Sequence, residues 1–336
     1  MIPDYCLREK NVLETISGLT NWRLTIRREK DSITILRALT CDRKVALPDE
    51  LFGLPVTKLQ DRALAAGAAP VEGEELRILG GTESRDWDNR NITELTLPRL
   101  LQHIGDYAFM NLRSMETLYF SDDLCSTGSA SFMNCRSFSR LELRRTGPGQ
   151  GPALACIVRS LQQELDATVL EADGSILRLI FPEYIENYIE NNAAHHFELK
   201  INGGGYAYHS VFRNKTLSTL DYDALWPAYI AHEHEEESAL HLAYYRLRYP
   251  TRLSRQAGEQ YTGYLCANIG RALSLALRGK DMDGLRMLLD LGTIEMETLD
   301  SALKESRIQQ MTEATAILLE KRHTRPAAGR TKTFEL

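Results

Sequence analysis

Apolar and polar residues alternate in short bursts through the first half of the chain, and the bursts keep a fixed interval. The segments "ITELTL", "METLYF" and "FSRLEL" share the order apolar-x-x-apolar-x-apolar. They place Ile92, Leu95 and Leu97, then Met115, Leu118 and Phe120, then Phe138, Leu141 and Leu143 at steps of 23 residues. Alternation at the last two apolar sites predicts a half-buried strand whose apolar side chains turn inward. Between the strands, "IGDYAFMNL" (104–112) and "TGSASFMNC" (127–135) recur at the same step. Gly105 and Gly128 are expected to bend the chain, because a missing Cβ permits a sharp turn. Small Ala108 and Ser131 let the return arm lie close to its neighbour, so that Phe109 and Phe132 stack coil upon coil. One such coil cannot cover its own faces or pair its own strand edges. Neighbours must do both, which is the physical reason the unit repeats.

A degenerate copy comes first. In "VALPDELFGLPVTKLQDRALA", Val45, Leu47 and Pro48 fall against Leu95, Leu97 and Pro98, while Leu59, Asp61, Ala63 and Leu64 fall against Ile104, Asp106, Ala108 and Phe109. "FGLPV" reads as an insertion in the turn. Leu76 and Ile78 predict a further strand, and "GGTESRDWDNRN" (80–91) a protruding loop. "WRLTIRREKDSITILRALT" predicts a hairpin that covers the first coil's open edge, as repeat arrays require. The stretches "ALPDELFGLPVTKLQDRALA" and "ITELTLPRLLQHIGDYAFMNLRSMETLYF" resemble the BspA-type leucine-rich repeats of bacteria, whose units run as a strand ending in Pro, then I-G-x-x-A-F, then a small or Cys residue. The resemblance covers about residues 33–145. It implies a right-handed solenoid used for protein–protein contact, and many members of that family are secreted or surface-attached.

Beyond "TGPGQGP" (146–152) the period changes. A helix is predicted over Ala153–Leu165 with Leu154, Ile157, Val158 and Leu161 on one stripe. "DATVLEADGSILRLIF" predicts strand, Asp-Gly turn and strand, and "FELKINGGGYAYHSVF" the same with Asn202-Gly203 at the turn. A small antiparallel sheet is therefore expected, edging the solenoid or bridging to helices. From Tyr222 the period is helical. "DYDALWPAYIAHE" carries Leu225, Tyr229 and Ile230, and "EESALHLAYYRLRYP" carries Leu240, Ala243, Tyr244 and Leu247 before Pro250. A second repeat follows, in which Ala272, Leu273, Asp283, Leu288 and Leu289 recur 30 residues later as Ala302, Leu303, Glu313, Leu318 and Leu319. It resembles ankyrin-like helix pairs, although the T-P-L-H element is absent and the period is shorter than the usual ~33 residues. Plain helical hairpins remain an alternative.

The fold class expected is thus α+β: a short leucine-rich-repeat solenoid with an N-terminal β-hairpin cap, a small antiparallel sheet and a C-terminal helical, ankyrin-like domain. The division is 1–147, 148–220, 221–323 and a flexible basic tail 324–336. Composition changes little in this picture. With 40 basic and 46 acidic residues among 336, the net charge of −6 is too mild to predict attraction to nucleic acid or to a membrane surface. No stretch approaches the ~18 consecutive apolar residues of a spanning helix. The N-terminus shows no basic start followed by an apolar core, so no secretory signal is read. The six cysteines are scattered without a C-x-x-C pair, which suits reduced thiols in a cytoplasm.

Candidates for chemistry are weak. In "AHEHEEES", His232 and His234 are two apart, about 200° around a helix, whereas a zinc-peptidase helix sets two histidines four apart. His241 shares a face with His234 but has no glutamate at the right step. His195 and His196 read as a surface turn. "NGGGY" lacks the Lys-Ser/Thr of a phosphate loop and is placed between two strands. No G-x-S-x-G occurs, and Cys135 falls at the core position of Leu112. "AYYRLRYPTRL" interleaves aromatic and basic residues, but a helix with a charged outer face accounts for it better than nucleic-acid contact.

What remains is a surface. Between the inward leucines, Glu94 and Thr96, Thr117 and Tyr119, and Arg140 and Glu142 must point outward, and stacking aligns them as the rows Glu94–Thr117–Arg140 and Thr96–Tyr119–Glu142. Tyr and Arg are types enriched at interface hot spots. The function expected is a non-catalytic, intracellular protein-interaction scaffold, monomeric, with no cofactor and an unidentified protein partner. A metal-dependent enzyme in the middle region, with the repeats as its targeting arm, and an adhesin exported by another route are the alternatives.

Overall fold

The computed structural model describes residues 14–80, 87–147, 151–191, 196–232 and 234–323. The basic tail 324–336 and His195 lie outside them. The chain divides into two compact units, residues 1–233 and 234–336.

The first unit begins with β1 (Glu14–Ser17) and the antiparallel hairpin β2 (Trp22–Arg28) and β3 (Ile33–Leu39). The first coil has β4 (Lys44–Ala46) and the small ribbon β5 (Glu50–Leu51) and β6 (Leu54–Leu59). Phe52 and Gly53 turn that ribbon with φ of 52° and 75°, the left-handed pair of a tight hairpin. Then β7 (Glu74–Leu79) pairs back onto β2 and β1. The next coils carry β8 (Glu94–Thr96) with β9 (His103–Ile104), β10 (Thr117–Ser121) with β11 (Ser126–Thr127), and β12 (Arg140–Arg144) with helix α1 (Ala153–Val158). Strands β13 (Leu165–Leu170) and β14 (Ile176–Phe181) follow.

Strands β4, β8, β10, β12 and β13 form a parallel sheet in which Val45, Leu95, Leu118, Leu141 and Ala167 stand in register and are all buried. The arm strands β6, β9 and β11 form a second parallel row, with Leu59 against Ile104. A third row of backbone hydrogen bonds ties the coils together where no strand is drawn. The Arg62 and Leu64 amides donate to Asp106 and Ala108 (both 2.8 Å), and the Tyr107 and Phe109 amides donate to Ser129 (3.0 Å) and Ser131 (2.9 Å). Inside, Phe132 stacks between Phe109 and Phe138, with ring centroids 5.1 Å apart on each side.

Neither Gly105 nor Gly128 has a positive φ, so it is not a left-handed backbone that calls for glycine there. They permit contact between coils. A Cβ on Gly105 would lie 2.5 Å from the Asp61 amide nitrogen, and one on Gly128 would lie 2.5 Å from that of Asp106. The left-handed residues come two positions on, at Tyr107 (φ 55°) and Ala130 (φ 49°), with Arg62 (φ 58°) in the degenerate coil.

Both ends of the array are closed. The hairpin lies against the arm strand β6 through β3. The free edge of β4 is occupied by side chains, with Thr20 Oγ1 and Trp22 Nε1 donating to the Ala46 carbonyl at 3.0 and 2.8 Å. At the far end β13 and β14 extend the solenoid's own sheet, β14 antiparallel. The Tyr222 hydroxyl then blocks β14, accepting from the Ile180 amide and donating to its carbonyl. Such pairing keeps an exposed edge from recruiting another chain.

Several expectations need correction. The helix after the linker has six residues, Ala153–Val158, not thirteen, although Leu154, Ile157, Val158 and Leu161 are all buried. The loop 80–91 does not protrude at its described end. Asn89 is buried and donates to the Ala38 and Leu64 carbonyls at 2.8 and 2.9 Å, tying hairpin to coil. Asn202-Gly203 is not a hairpin turn. Strand β15 (Ile185–Asn191) pairs with β16 (His196–Asn202) as a separate antiparallel ribbon, and "NGGGY" leads instead into the five-residue helix α2 (Gly205–His209). Gly205 is forced there by crowding, since a Cβ would meet the Pro182 carbonyl. Helices α3 (Thr219–Ala224) and α4 (Trp226–Ala231) complete the unit, packing Tyr208, Tyr222 and Tyr229 edge to face.

The second unit is helical: α5 (Glu236–Arg248), α6 (Arg255–Ala267), α7 (Ile269–Arg278), α8 (Met282–Asp290), α9 (Met296–Ile308) and α10 (Thr312–His323). The 30-residue repeat is the pair α7–α8 followed by α9–α10, with Ala272, Leu273 and Leu288 buried like Ala302, Leu303 and Leu318. Arg246, expected on a charged outer face, is fully buried and donates to the Tyr249 and Thr251 carbonyls. The chain turns after α5, where the Thr251 amide donates to the Tyr249 carbonyl at 2.8 Å, and the guanidinium adds donors to the carbonyls of that turn. Arg248 pairs with Asp281 (3.0 Å) and Asp283 (2.9 Å).

Candidate functional site

The outward positions of the five parallel strands stand in rows because strand neighbours pair one to one. The row predicted as Glu94–Thr117–Arg140 continues to Lys44 on β4 and Asp166 on β13. It is largely neutralised from within. Lys44 pairs with Glu94 at 2.7 Å, Arg140 with Glu116 at 3.1 Å, and Arg178 of β14 grips Asp166 through two nitrogens. Thr117, expected to be exposed, is buried at 4% exposure, its lateral neighbours being the much longer Glu94 and Arg140.

The row Thr96–Tyr119–Glu142 has a different setting. Flanked by Ala46 and Thr168, it lies along a groove of about 550 Å³. The next outward positions, Ser121, Arg144 and Leu170, line it too, as do Ser17 to Thr20 and Asp49 to Leu51. Thus three of the six predicted residues, Thr96, Tyr119 and Glu142, share one concavity; Glu94, Thr117 and Arg140 do not line it. Arg99 holds Asp49 by side chain (2.6 Å) and backbone amide (2.7 Å), fixing one part of the lining. Burial raises the Tyr119 phenol above its ordinary value, and the Glu142 and Glu94 carboxylates add to the shift. The ring therefore stays neutral and presents both an apolar face and a hydroxyl.

The remaining lining residues were missed for two reasons. Ser121 and Arg144 lie one alternation step beyond the predicted rows, and Asp49 and Arg99 are equivalent positions of successive coils with opposite charge, so the repeat alignment held a signal for both pairs. Nothing in the repeat pointed to Ser17–Thr20, which reaches the groove only through the pairing of β1 and β2 with β7.

Other chemistry-bearing groups are engaged elsewhere. Cys135 is buried, its thiol donating to the Phe109 carbonyl at 3.1 Å, and burial pushes its pKa up to about 12. His209 is buried with its nitrogens 3.1 and 3.0 Å from the Val158 and Pro182 carbonyls, and burial lowers its pKa. His232 follows α4, His234 precedes α5 in the second unit, and His241 lies 3.8 Å from Glu237 within α5. Among the described residues no three His, Cys, Asp or Glu side chains converge as a metal site. No described helix is long and apolar enough to cross a membrane.

Comparison with known proteins places the repeat. Residues 83–147 match the BspA type leucine rich repeat region, a family described by six copies of its unit. No curated protein and no solved structure matches the chain. The stacked coils and the matched segment coincide over β8 to β12, and the chain carries there a BspA-type leucine-rich repeat solenoid.

Proposed function

We propose that this protein is a non-catalytic interaction scaffold that holds a partner protein against the outward face of its repeat strands. The observation that carries the reading is the row Thr96–Tyr119–Glu142 lying in register along an apolar groove. Glu94 and Arg140 stand beside it as a rim, and Thr117 is withdrawn from the contact set because it is buried. Rigid backbone pairing keeps these side chains preordered, which lowers the entropy lost on association. The helix pairs of the second unit serve as a second, ankyrin-like contact element. The five described cysteines are free, in keeping with a reducing bacterial cytoplasm.

The test is hydroxyl-radical footprinting of the full chain with and without a partner captured from the native cell. Protection of Tyr119 and its neighbours on β8, β10 and β12 supports the surface. Protection confined to residues 234–323 overturns it, and cell fractionation tests the compartment.

A further inference from the structure

We propose that the groove takes an extended peptide of about six residues, which sets an apolar side chain against Tyr119 and one basic side chain against Glu142. This rests on the repeat face being a protein-binding surface and specifies what that surface recognises.

Length comes first. Ala46, Thr96, Tyr119, Glu142 and Thr168 come one from each of five neighbouring parallel strands. At about 4.8 Å between strands the row spans about 19 Å, and about six extended residues at about 3.3 Å each cover it. A volume near 550 Å³ admits a few side chains of such a segment and no folded domain.

The mode of contact follows from the edge. The edge of β4 beside the groove is already occupied, because the Ala46 carbonyl accepts from both Thr20 and Trp22. A peptide therefore does not add as another strand on β4, and a segment crossing the five paired strands is read through side chains. Leu97, Phe120, Leu143, Leu170 and Ile78 make the lining apolar, and Leu19 stands 87% exposed among the lining residues.

The charge balance then selects the partner. Asp49 and Arg99 neutralise each other. Among the described residues the lining carboxylates Glu50 and Glu142 have no ion pair, against a single such cation, Arg144. Covering Glu142 with an apolar peptide would leave a desolvated charge, which is costly unless the peptide brings a cation. Arg144 stands two residues further along the same face of β12, so one basic position is favoured and a polycation is not.

The experiment pans phage-displayed random hexapeptides against the immobilised full chain. Recovered peptides are then measured by fluorescence polarisation on wild type, Thr96→Arg and Glu142→Arg. Thr96 and Glu142 are exposed, and melting curves confirm that the variants fold. The expected result is a shared Leu, Ile, Phe or Trp beside a single Lys or Arg. Thr96→Arg, which fills the groove, should weaken binding at least tenfold. Glu142→Arg should do the same and redirect selection to Asp or Glu at that position. No enrichment, a consensus without a basic position, or binding unchanged in both variants would overturn the proposal. In that case footprint protection on β8 to β12 would still uphold the surface, so the two readings fail separately.

Discussion

The rings of Phe109 and Phe132 lie stacked, with centroids 5.1 Å apart and planes 29° from parallel. They occupy the same place in successive coils, and Phe132 passes the contact on to Phe138. Removing the middle ring leaves a cavity between coils that the backbone ladder prevents from closing. Phe132→Ala is expected to cost about 3–5 kcal/mol in denaturant unfolding. A loss below about 1 kcal/mol would mean the rings do not share one core.

Gly128→Ala tests the close approach of coils. The added Cβ would meet the Asp106 amide nitrogen and the Gly105 carbonyl carbon, both at 2.5 Å, and neither backbone atom can rotate away. Overpacking of this kind costs about 1–3 kcal/mol. Gly147→Ala, whose Cβ would meet nothing within 4 Å, is the control and should melt like the wild type.

Tyr222→Phe removes one oxygen, the partner of both the amide and the carbonyl of Ile180 on the last strand of the sheet. Leaving these groups without partners is expected to cost about 1–3 kcal/mol. The phenylalanine ring still covers the strand, since Tyr222 and Ile180 are both buried, so the loss should be read in denaturant unfolding, and a change below about 0.5 kcal/mol would mean the hydroxyl does not satisfy both groups.

The second unit carries a pH dependence of known sign. Burial by itself pushes the Asp281 carboxyl up, but the Gly284 amide, the Tyr244 hydroxyl and the Arg248 guanidinium all donate to it and hold it below its ordinary 3.8. The folded chain thus binds this proton more weakly than the unfolded chain. The stabilisation is complete above the ordinary value and is lost as the pH falls through the folded one. The gap in unfolding free energy between wild type and Asp281→Asn should be constant from about pH 7 to pH 5 and shrink below about pH 4. A gap that widens in acid would refute this account.

Cys135 should be inert while the chain is folded. Its thiol is raised to about 12 by burial, and the thiolate is the reactive form. With dithiobis(nitrobenzoate), exposed Cys125 and Cys266 should react within the native chain, and Cys135 only after denaturation. Fast labelling of Cys135 in native buffer would show that the coil opens.

The repeat was legible because a strand's side chains alternate with a period of two whatever lies around them, and a 23-residue step leaves no freedom over which leucines face each other. The registers Leu95–Leu118–Leu141 and Thr96–Tyr119–Glu142 therefore follow from the sequence alone. So does the offset of the degenerate coil, whose strand aligns 50 residues on and whose arm aligns 45 on, the difference being the five residues of "FGLPV". The 30-residue pairing of α7–α8 with α9–α10 was legible for the same reason, repetition with a helical period.

Contacts between segments far apart in the chain were decided only by the tertiary structure. Local pattern places Thr117 outward and Arg246 on a polar face, but it is the neighbours across the sheet and the turn after α5 that bury them. Glycine at 105 and 128 signals a backbone need, yet whether that need is a bend or a close neighbour depends on where the next coil lies. The groove has the same origin. Its floor is written in the repeat, while its lining from Ser17 to Thr20 is set beside that floor by pairing with β7, some 60 residues away. Periodicity fixes which side chains share a face, because that is local geometry. What covers the face is fixed by the distant segments that the folded chain brings to it.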